Sequence, residues 1–282
     1  MRPSLLIHGG FFSESSTSAA VKKAKQEALM RIADEAHAYL LNHSALETVA
    51  FAVQLLEDDP LFNAGTGSQI QSDGIIRMSA AIMDGTTARF SGVINLEAVQ
   101  NPIQVAVALF SEDDRVLGGE GAGKFAREAG FPAYNPEIPQ RRAEFEAKLK
   151  ATGSGTVGCV ALDAAGRLAA ATSTGGKGFE RVGRISDSAT VAGNFANNHC
   201  AVSCTGVGED IVSGAVAAKI VTRVTDGIDV ETAINRTFDE LKPFDGFAGA
   251  IVITAQGDMA WRDSHPSMVW AKTDGKTTEV FT

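Results

Sequence analysis

The segment Gly153–Asp163, with the sequence GSGTVGCVALD, could carry out two different kinds of chemistry. Its first six residues match G-x-G-x-x-G, the pattern of a loop that binds a dinucleotide. The same residues place Thr156 between a flexible glycine loop and an apolar run, where its hydroxyl could attack the peptide bond that precedes it. The elements that flank the segment distinguish the two interpretations.

Dinucleotide binding requires a strand before the first glycine and a helix after the last. Here residues 131–155 form a charged linker with several prolines, which we expect to be partly helical. The run Val157–Leu162 is typical of a strand and ends at the turn Ala164–Gly166. This order is the reverse of the required one, so the sequence disfavours a nucleotide site.

A second glycine-rich segment, Gly118–Lys124, has the spacing G-x-x-x-x-G-K of a phosphate-binding loop. Such a loop continues with Ser or Thr, whose hydroxyl binds Mg²⁺, but the next residue here is Phe125. We therefore interpret the segment as the glycine-rich start of a helix.

Attack by the Thr156 hydroxyl would move the acyl group from nitrogen to oxygen, and hydrolysis of that ester would leave Thr156 as a new N-terminus. Its α-amine would titrate near ~8 and could act as the general base beside the hydroxyl. The five histidines are scattered, and none lies in a recognisable nucleophile arrangement. The alternative is that Thr156 only begins a strand, and the spacing alone favours that alternative.

Hydrophobic periodicity and turn residues predict the elements around this segment. Helices are expected over residues 18–41, 44–56, 101–110, 119–129, 207–224 and 230–241. Strands are expected over 4–7, 69–71, 75–83, 88–93, 157–162, 168–172, 250–254 and 259–261, with hairpin turns at Asp73-Gly74 and Asp84-Gly85. Strands and helices occur in blocks, so we predict an α+β fold in which two sheets pack face to face with helices outside.

Composition excludes several classes of function. The formal net charge is -9 and no strongly basic cluster is present, so we expect no nucleic-acid partner. No apolar stretch approaches the ~20 residues that span a bilayer, and the apolar start is too short for a signal peptide. The three cysteines have no metal-ligand spacing. We therefore expect a soluble, cytoplasmic protein without a membrane partner.

Several short segments, in order along nearly the whole chain, carry a family resemblance. They are Ile7–Gly10, Pro60–Gly65, Ala81–Gly85, Gly155–Asp163, Leu168–Gly176, Arg184–Ser188 and Ser203–Glu209. These segments resemble those of the plant-type L-asparaginases, also called isoaspartyl peptidases, which are threonine N-terminal nucleophile hydrolases. So many matches in order favour the nucleophile interpretation of Thr156.

The resemblance implies a four-layer αββα sandwich and an autoprocessed amidohydrolase. The expected small-molecule substrates are L-asparagine, through its side-chain amide, and β-aspartyl dipeptides. Self-cleavage between Gly155 and Thr156 would divide one globular domain into an α subunit, residues 1–155, and a β subunit, residues 156–282. Two such pairs are expected to form an (αβ)2 dimer of heterodimers.

The resemblance also implies the roles of individual residues. Thr156 would be the nucleophile, Thr174 would orient it, and the Thr205 hydroxyl and Gly206 N–H would form the oxyanion hole. Without the family, Thr174 and Thr205 would be interpreted as ordinary strand-end threonines.

The resemblance further implies that Arg184 binds the substrate's α-carboxylate and Asp187 its α-amine. A guanidinium fork beside a carboxylate matches both groups of an amino acid in geometry and sign. The alternative is a surface ion pair. The substrate-binding set implied by the family is completed by Thr205, Gly206, Gly208, Asn63 and Gly10.

A structural sodium ion is the expected metal, and no catalytic cofactor is implied. The resemblance assigns its ligands to backbone carbonyls of Leu56, Glu57, Asp59, Phe62, Ala64 and Thr66. Carbonyl oxygens suit a hard cation, so no side-chain ligand is needed. The alternative is that this loop folds without bound metal.

The sequence departs from the family pattern at several positions. Phe11 and Phe12 follow the first glycine pair where small residues are usual, so we expect a narrower, more apolar pocket entrance. Ser186 replaces the usual glycine and should add a side chain between Arg184 and Asp187. The linker before Gly155 is short, and residues 262–266 do not resemble the family counterpart closely.

Two alternative functions stay open from the sequence. One is a hydrolase of the glycosylasparaginase type, in the same superfamily. The other is a non-catalytic protein on this fold that binds an amino acid or a nucleotide.

Overall fold

The computed structural model describes residues 1–12, 18–147, 155–265 and 267–282 of the chain. The helices are α1 (Ala19–Leu40), α2 (Ala45–Asp58), α3 (Pro102–Leu109), α4 (Gly119–Glu128), α5 (Pro139–Glu146), α6 (Gly208–Gly214), α7 (Val216–Thr225) and α8 (Val230–Asp239). The first strands are β1 (Ser4–Phe11), β2 (Met78–Asp84), β3 (Arg89–Leu96), β4 (Val116–Gly118), β5 (Val157–Leu162) and β6 (Leu168–Thr174). The later strands are β7 (Asn194–Ala196), β8 (Cys200–Gly206), β9 (Ala248–Thr254), β10 (Met259–Asp263), β11 (Met268–Thr273) and β12 (Thr278–Val280).

These strands form two sheets that pack against each other. The larger has the order β12-β11-β1-β5-β6-β2-β3-β4, and the smaller has the order β10-β9-β8-β7. Strands β5 and β6 contact β8 across the interface, while β1 contacts β9. Helices α1, α2 and α3 pack on the large sheet, and α7 and α8 pack on the small sheet. The predicted αββα sandwich is confirmed.

The large sheet interleaves the two halves of the chain. Strand β5, from the second half, lies between β1 and β6, and every one of its residues is buried. Strands β1 to β4 come from residues 1–155, whereas β5, β6, β11 and β12 come from residues 156–282. Three antiparallel pairings, β1 with β5, β1 with β11 and β2 with β6, therefore connect the halves by backbone hydrogen bonds.

Helix α2 leads directly into the loop that was predicted to bind sodium. Ser44 and Glu47 form a capping box in which each side chain accepts from the backbone N–H of the other, which fixes the start of α2. Its last residue is Asp58, and the following residues 59–69 fold as a loop between α2 and the large sheet. The capping box is the one predicted from the sequence.

Most predicted helices and strands are confirmed within a few residues, but the hairpin around Asp73-Gly74 is wrong. Residues 69–71 are not a strand, because Gln71 hydrogen-bonds locally to Ile75 and Gly74 and so closes a turn inside a loop. The single helix predicted over 207–224 is two helices. They are separated by Ala215, which has a left-handed φ of 48°, and the N–H of Ala217 donates to Ala192 O instead of to a preceding turn.

Strands β4, β7, β8, β11 and β12 were not predicted, and residues 203–206 form the end of β8. The glycine-rich segment before Lys124 forms the start of α4, as expected, and α5 makes the linker partly helical. Gly153 and Ser154, in the segment that matched the dinucleotide pattern, lie outside the described residues. None of the helices in the described ranges combines the length and apolar character needed to cross a bilayer.

Candidate active site

Thr156 and Thr174 lie side by side at one edge of the β5–β6 pair. Thr156 immediately precedes β5 and is 4% exposed. The register pairs Val157 with Ser173, which brings the two threonines together. Thr156 Oγ1 donates to Thr174 Oγ1 at 3.2 Å, and Thr174 Oγ1 also accepts from the Gly176 N–H at 3.2 Å. The hydroxyl proposed as nucleophile is therefore buried and fixed by its predicted partner.

The carbonyl of Thr156 is held by a residue that had no predicted role. His8 Nδ1 lies 3.1 Å from Thr156 O and is fully buried. Burial lowers the pKa of His8 to about 3, against the opposing effect of its hydrogen bond to the Thr156 backbone, so the ring is neutral. The sequence placed His8 in a family motif, but a lone buried histidine carries no local signal for this contact.

Asn63 packs directly on the residue that precedes Thr156. A Cβ at Gly155 would lie 2.3 Å from Asn63 Cβ, so only glycine fits there. Asn63 Nδ2 donates to Gly176 O at 2.5 Å, its Oδ1 accepts from Gln69 N at 2.9 Å, and its backbone O accepts from Gly175 N at 2.8 Å. Asn63 thus ties its loop to the end of β6 beside the Gly155–Thr156 peptide.

Thr205 has a buried hydroxyl without a partner among the residues that the structure describes. The residue is fully buried near the end of β8, and its Oγ1 makes no hydrogen bond within the described part of the chain. Buried hydroxyls in folded proteins almost always have a partner. Gly206 follows with a φ of 137°, and a Cβ there would lie 2.5 Å from Phe247 O. The end of β8 therefore has a conformation that requires glycine and carries a buried hydroxyl whose hydrogen-bonding capacity is unused by the described residues.

Gly10 lies in β1 between His8, which contacts Thr156, and Phe11. It has a φ of 85° and lies in β1 at an irregularity between His8 and Phe11. The ring of Phe11 packs closely against Gly249, and a Cβ at Gly249 would lie 2.8 Å from Phe11 Cζ. Gly249 is the strand partner of Thr205. Gly10 therefore lies in the part of β1 between His8, at Thr156, and Phe11, which packs on the strand paired with Thr205.

Phe11 and Phe12 do not form the apolar pocket entrance that was predicted. Phe11 is 3% exposed and packs on Phe247 in the core between the sheets, with ring centroids 4.5 Å apart. Phe12 packs on Phe281, near α1, at 5.2 Å. The expectation for Phe11 was wrong because its backbone still belongs to β1, which directs the ring into the core.

Arg184 is paired with Glu209, not with Asp187. Its Nε and Nη2 donate to the two carboxylate oxygens of Glu209 at 2.8 and 2.9 Å, and Lys177 Nζ also donates to Glu209 at 3.1 Å. The hydrogen bond from Arg184 is the main reason that the pKa of Glu209 falls to about 2, so this carboxylate is ionised. The pairing uses one edge of the guanidinium and leaves Nη1 outside it.

Asp187 is a buried carboxyl with an unused oxygen. It is 2% exposed, and Oδ2 has no hydrogen-bond partner among residues that the structure describes. Burial raises the pKa of Asp187 to about 7; the charge of Arg184 lowers it, and that of Glu209 raises it further. The ionised and protonated forms of the Asp187 carboxyl are therefore similar in free energy near neutral pH. The ionised form can bind a cation.

Gly208 keeps open the space that Arg184 and Asp187 share. A Cβ at Gly208 would lie 2.9 Å from Asp187 Oδ1, 3.0 Å from Arg184 Nη2 and 3.2 Å from Ser186 Cβ. Arg184 and Asp187, the two residues predicted to bind the substrate's α-carboxylate and α-amine, therefore approach each other at Gly208. Ser186 adds a side chain beside them, as expected.

Several buried polar side-chain atoms that have no partner among the described residues lie on the segment 180–188 and at the end of β8. In the described ranges they include Thr205 Oγ1, Asp187 Oδ2, Ser186 Oγ, Ser188 Oγ and Glu180 Oε2. Each such atom costs about 1–3 kcal/mol unless something hydrogen-bonds to it. Their grouping on residues 180–188 and the end of β8 indicates a site for a small polar ligand.

The loop predicted to bind sodium returns to the end of α2. Thr66 N donates to Glu57 O at 2.8 Å, and a Cβ at Gly65 would lie 2.4 Å from the same oxygen. Leu56 lies in the last turn of α2, and the residue four positions later is Pro60, which has no N–H to donate. Carbonyls at a helix C-terminus carry partial negative charge. The donor set therefore fits a hard cation such as Na⁺.

The Glu57 side chain connects this loop to β6. Its Oε1 accepts from Ser173 Oγ at 2.6 Å and from Ile103 N at 3.0 Å. Burial raises the pKa of Glu57 to about 8, so the carboxyl is protonated at neutral pH. Because Ser173 precedes Thr174, the end of α2 helps to position the strand that orients Thr156.

Comparison with known proteins agrees with this geometry. A family model described as Asparaginase matches residues 1–151 and 140–282. An isoaspartyl peptidase/L-asparaginase of Nostoc is 45% identical over 98% of this chain and 93% of its own length. A protein of the same description from Synechocystis is 42% identical, over 96% and 88%. A plant-type L-asparaginase of Pyrococcus furiosus is 37% identical, over 81% and 83%.

The family model covers the segments that build the site around Thr156, and the relatives from Nostoc and Synechocystis align over nearly the whole chain. The chain therefore belongs to the asparaginase family.

Proposed function

We propose that this protein hydrolyses the side-chain amide of L-asparagine and β-aspartyl dipeptides, with Thr156 as an N-terminal nucleophile. The observation that carries the proposal is the buried Thr156 hydroxyl, hydrogen-bonded to Thr174 at 3.2 Å directly after Gly155. The names of the relatives, isoaspartyl peptidase/L-asparaginase and plant-type L-asparaginase, support this substrate class.

The first reaction is cleavage of the chain itself. Thr156 Oγ attacks the carbonyl carbon of Gly155, the C–N bond breaks, and the amide becomes an ester with a free amine on Thr156. Water then hydrolyses the ester, which leaves a carboxylate on Gly155 and restores the hydroxyl. The interleaved strands of the large sheet would hold residues 1–155 and 156–282 together after the cut.

The second reaction uses the amine that the first one releases. The α-amine takes the proton of the Thr156 hydroxyl, and Oγ attacks the amide carbon of the substrate. The Thr205 hydroxyl donates to the oxyanion, together with the Gly206 N–H that the family resemblance implies. Preset donors of this kind contribute about 3 to 4 kcal/mol each. Ammonia leaves with the proton, and water hydrolyses the ester between Thr156 and the aspartyl group.

The other end of the substrate binds at Arg184 and Asp187. The edge of the guanidinium that Glu209 does not occupy pairs with the α-carboxylate, and the Asp187 carboxyl, whose Oδ1 faces the space at Gly208, accepts from the α-ammonium. Gly208 leaves the room that both groups need. A substrate with a free α-amino acid end is therefore required.

We further propose that a structural Na⁺ binds the carbonyls of the loop after α2. The ion would supply no chemistry and would stiffen a loop that contacts Gly155 and β6 through Asn63. The ligands are the six carbonyls implied by the resemblance, from Leu56 to Thr66. The support is that the loop returns to the end of α2, where Thr66 N donates to Glu57 O, and that carbonyl oxygens at a helix C-terminus suit a hard cation.

An (αβ)2 assembly is proposed on the basis of exposed apolar side chains near the site. Val182, Ile185, Val207 and Val212 are each at least 40% exposed. Val182 and Ile185 lie on the segment that carries Arg184 and Asp187, whereas Val207 caps α6 and Val212 lies within it. The segment and the helix meet at Gly208. Apolar residues grouped in this way are typical of a protein interface.

Self-cleavage is the first testable consequence. Purified wild-type chain should separate on a denaturing gel into fragments 1–155 and 156–282 and release ammonia from L-asparagine. Thr156→Ala should stay intact and inactive because it lacks the hydroxyl, whereas the matched control Thr225→Ala, on α7, should behave as the wild type. An intact chain with full activity would contradict the mechanism. Faster hydrolysis of a glycan-linked asparagine would favour the glycosylasparaginase alternative, and tight binding without turnover would favour a binding protein.

The second prediction concerns pH. Burial holds the pKa of Asp187 at about 7, and only the ionised form pairs with an ammonium group. The KM for L-asparagine should therefore rise about tenfold for each pH unit below 7. The kcat should fall below the pKa of the general base, the Thr156 α-amine, which lies near ~8. Asp187→Asn should raise KM and make it independent of pH. A wild-type KM that stays constant between pH 5 and 8, measured by initial rates, would sink this assignment.

The third prediction tests the sodium site. Replacing Na⁺ by tetramethylammonium should lower the thermal midpoint, and adding Na⁺ should restore it with saturation. A ligand at 100 times its Kd stabilises by about 2.7 kcal/mol. Thr156→Ala should show the same shift, because the effect is on folding and not on chemistry. Identical thermal midpoints with both cations would contradict the proposed sodium site.

The fourth prediction concerns assembly. Light scattering should give a mass about twice that of the 29.5 kDa chain. Ile185→Asp and Val212→Asp should give single copies, because a charge in an apolar interface is costly to bury. The matched control is Val21→Asp, at an exposed position on α1. A monomeric wild type would refute the dimer.

A further inference from the structure

A chain of buried hydrogen bonds joins the two sheets beneath Thr156. His8 Nε2 lies 2.9 Å from Ser203 Oγ on β8, and Ser203 Oγ lies 2.7 Å from Thr172 Oγ1 on β6. Thr172 Oγ1 lies 3.0 Å from the side-chain oxygen Oδ1 of Asn194 on β7. All four side chains are fully buried. The chain ends at Thr156 O, which His8 Nδ1 contacts at 3.1 Å.

The direction of these hydrogen bonds is set at the Thr156 end. A carbonyl oxygen can only accept, so His8 Nδ1 carries the proton and donates. The neutral ring then accepts at Nε2 from the Ser203 hydroxyl, and Ser203 accepts from Thr172. A half-turn of the Asn194 amide places Nδ2, which has no partner among the described residues, as the donor to Thr172. Each of the two hydroxyls then both donates and accepts, and the ring has one tautomer.

Gly158 is the residue that makes room for this chain. A Cβ at Gly158 would lie 2.0 Å from Ser203 Oγ and 2.5 Å from His8 Nε2. The bond between His8 and Ser203 therefore crosses directly over β5. A side chain at position 158 would push the two groups apart.

The His8 contact begins where the regular pairing of β5 ends. The last β1–β5 partners are His8 and Gly158, and the β5–β6 pairing begins at Val157 and Ser173. Thr156 lies beyond both, and after cleavage it would lose its covalent connection to Gly155. The His8 side chain reaches two residues past the ladder and holds the one backbone oxygen of Thr156.

We infer that His8 is a positioning residue for the nucleophile. Its Nδ1–H, fixed by Ser203, Thr172 and Asn194, holds the carbonyl of Thr156 and so sets the orientation of the amine and hydroxyl of the cut chain. This inference rests on the proposed function of Thr156. A misplacement of about 1 Å at a reacting group can cost ~100-fold in rate, so the contact should act mainly on kcat.

The test compares two variants of the same shape, His8→Asn and His8→Leu. The amide nitrogen of Asn can take the place of Nδ1 and donate to Thr156 O, whereas Leu fills the same volume without a donor. We expect kcat for L-asparagine to fall ~10-fold or more in His8→Leu and to be largely rescued in His8→Asn. KM should change less than about twofold in both, because Arg184 and Asp187 are untouched. Equal kcat values in the two variants would overturn the inference.

Ser203→Ala provides a second route if His8→Leu does not fold. It keeps the volume nearly constant and removes the donor that fixes the His8 tautomer, so kcat should fall several-fold with KM unchanged. Thermal midpoints of all variants separate loss of fold from loss of positioning. A Ser203→Ala protein with the wild-type kcat, at an unchanged midpoint, would also refute the role.

The wild type distinguishes failure of the inference from failure of the proposed function. If wild-type chain is neither cut nor active, the nucleophile assignment itself is wrong. If it is cut and active while His8→Leu and His8→Asn are equally active, only the positioning role fails.

Discussion

The central position of β5 in the large sheet is the constraint on which the site depends. Both edges of β5 are hydrogen-bonded, to β1 and to β6, and all its residues are buried. Its N-terminal end can therefore move little, and Thr156 is attached to that end. The two neighbours supply the groups that fix this residue, since β6 ends in Thr174 and β1 carries His8. Because β5 and β6 also pack on β8, the same strand sets the distance to the sheet that carries Thr205.

The glycines around Thr156 serve close approach between protein segments. Gly155 leaves room for Asn63, Gly158 leaves room for the contact between His8 and Ser203, and Gly208 leaves room between Arg184 and Asp187. A Cβ at any of these positions would come within about 3 Å of the neighbouring atoms, a distance that a packed interior does not accommodate without shifts. The glycine spacing that resembles a dinucleotide-binding loop is thus explained by packing. Gly155, before β5, and Gly158, within β5, must lie close to other side chains.

Sequence reasoning predicted the parts of the fold that have local signals. The capping box at Ser44, the turn after Asp163 and the helical repeat of α1 depend on neighbours in sequence, and all are present. The hairpin at Asp73-Gly74 failed because the same dipeptide also closes a loop turn, and tertiary contacts decide between the two. In the site, family motifs identified Arg184 and Asp187, but the partner of Arg184 is Glu209, which is 25 positions away. The contacts of His8 span 148 and 195 positions, so no local pattern could indicate them.

The unpartnered polar atoms of the site explain why its residues do not simply pair with one another. Asp187 could be satisfied by Arg184, yet Arg184 is held by Glu209, and Asp187 Oδ2 and Thr205 Oγ1 have no partner in the described chain. Leaving such groups buried and unsatisfied destabilises the fold by about 1–3 kcal/mol each. A ligand that presents an ammonium group to the Asp187 carboxyl and a developing oxyanion to the Thr205 hydroxyl offsets part of that cost on binding and in the transition state. The stability given up by the folded protein is therefore converted into affinity at one end of the substrate and into rate at the other.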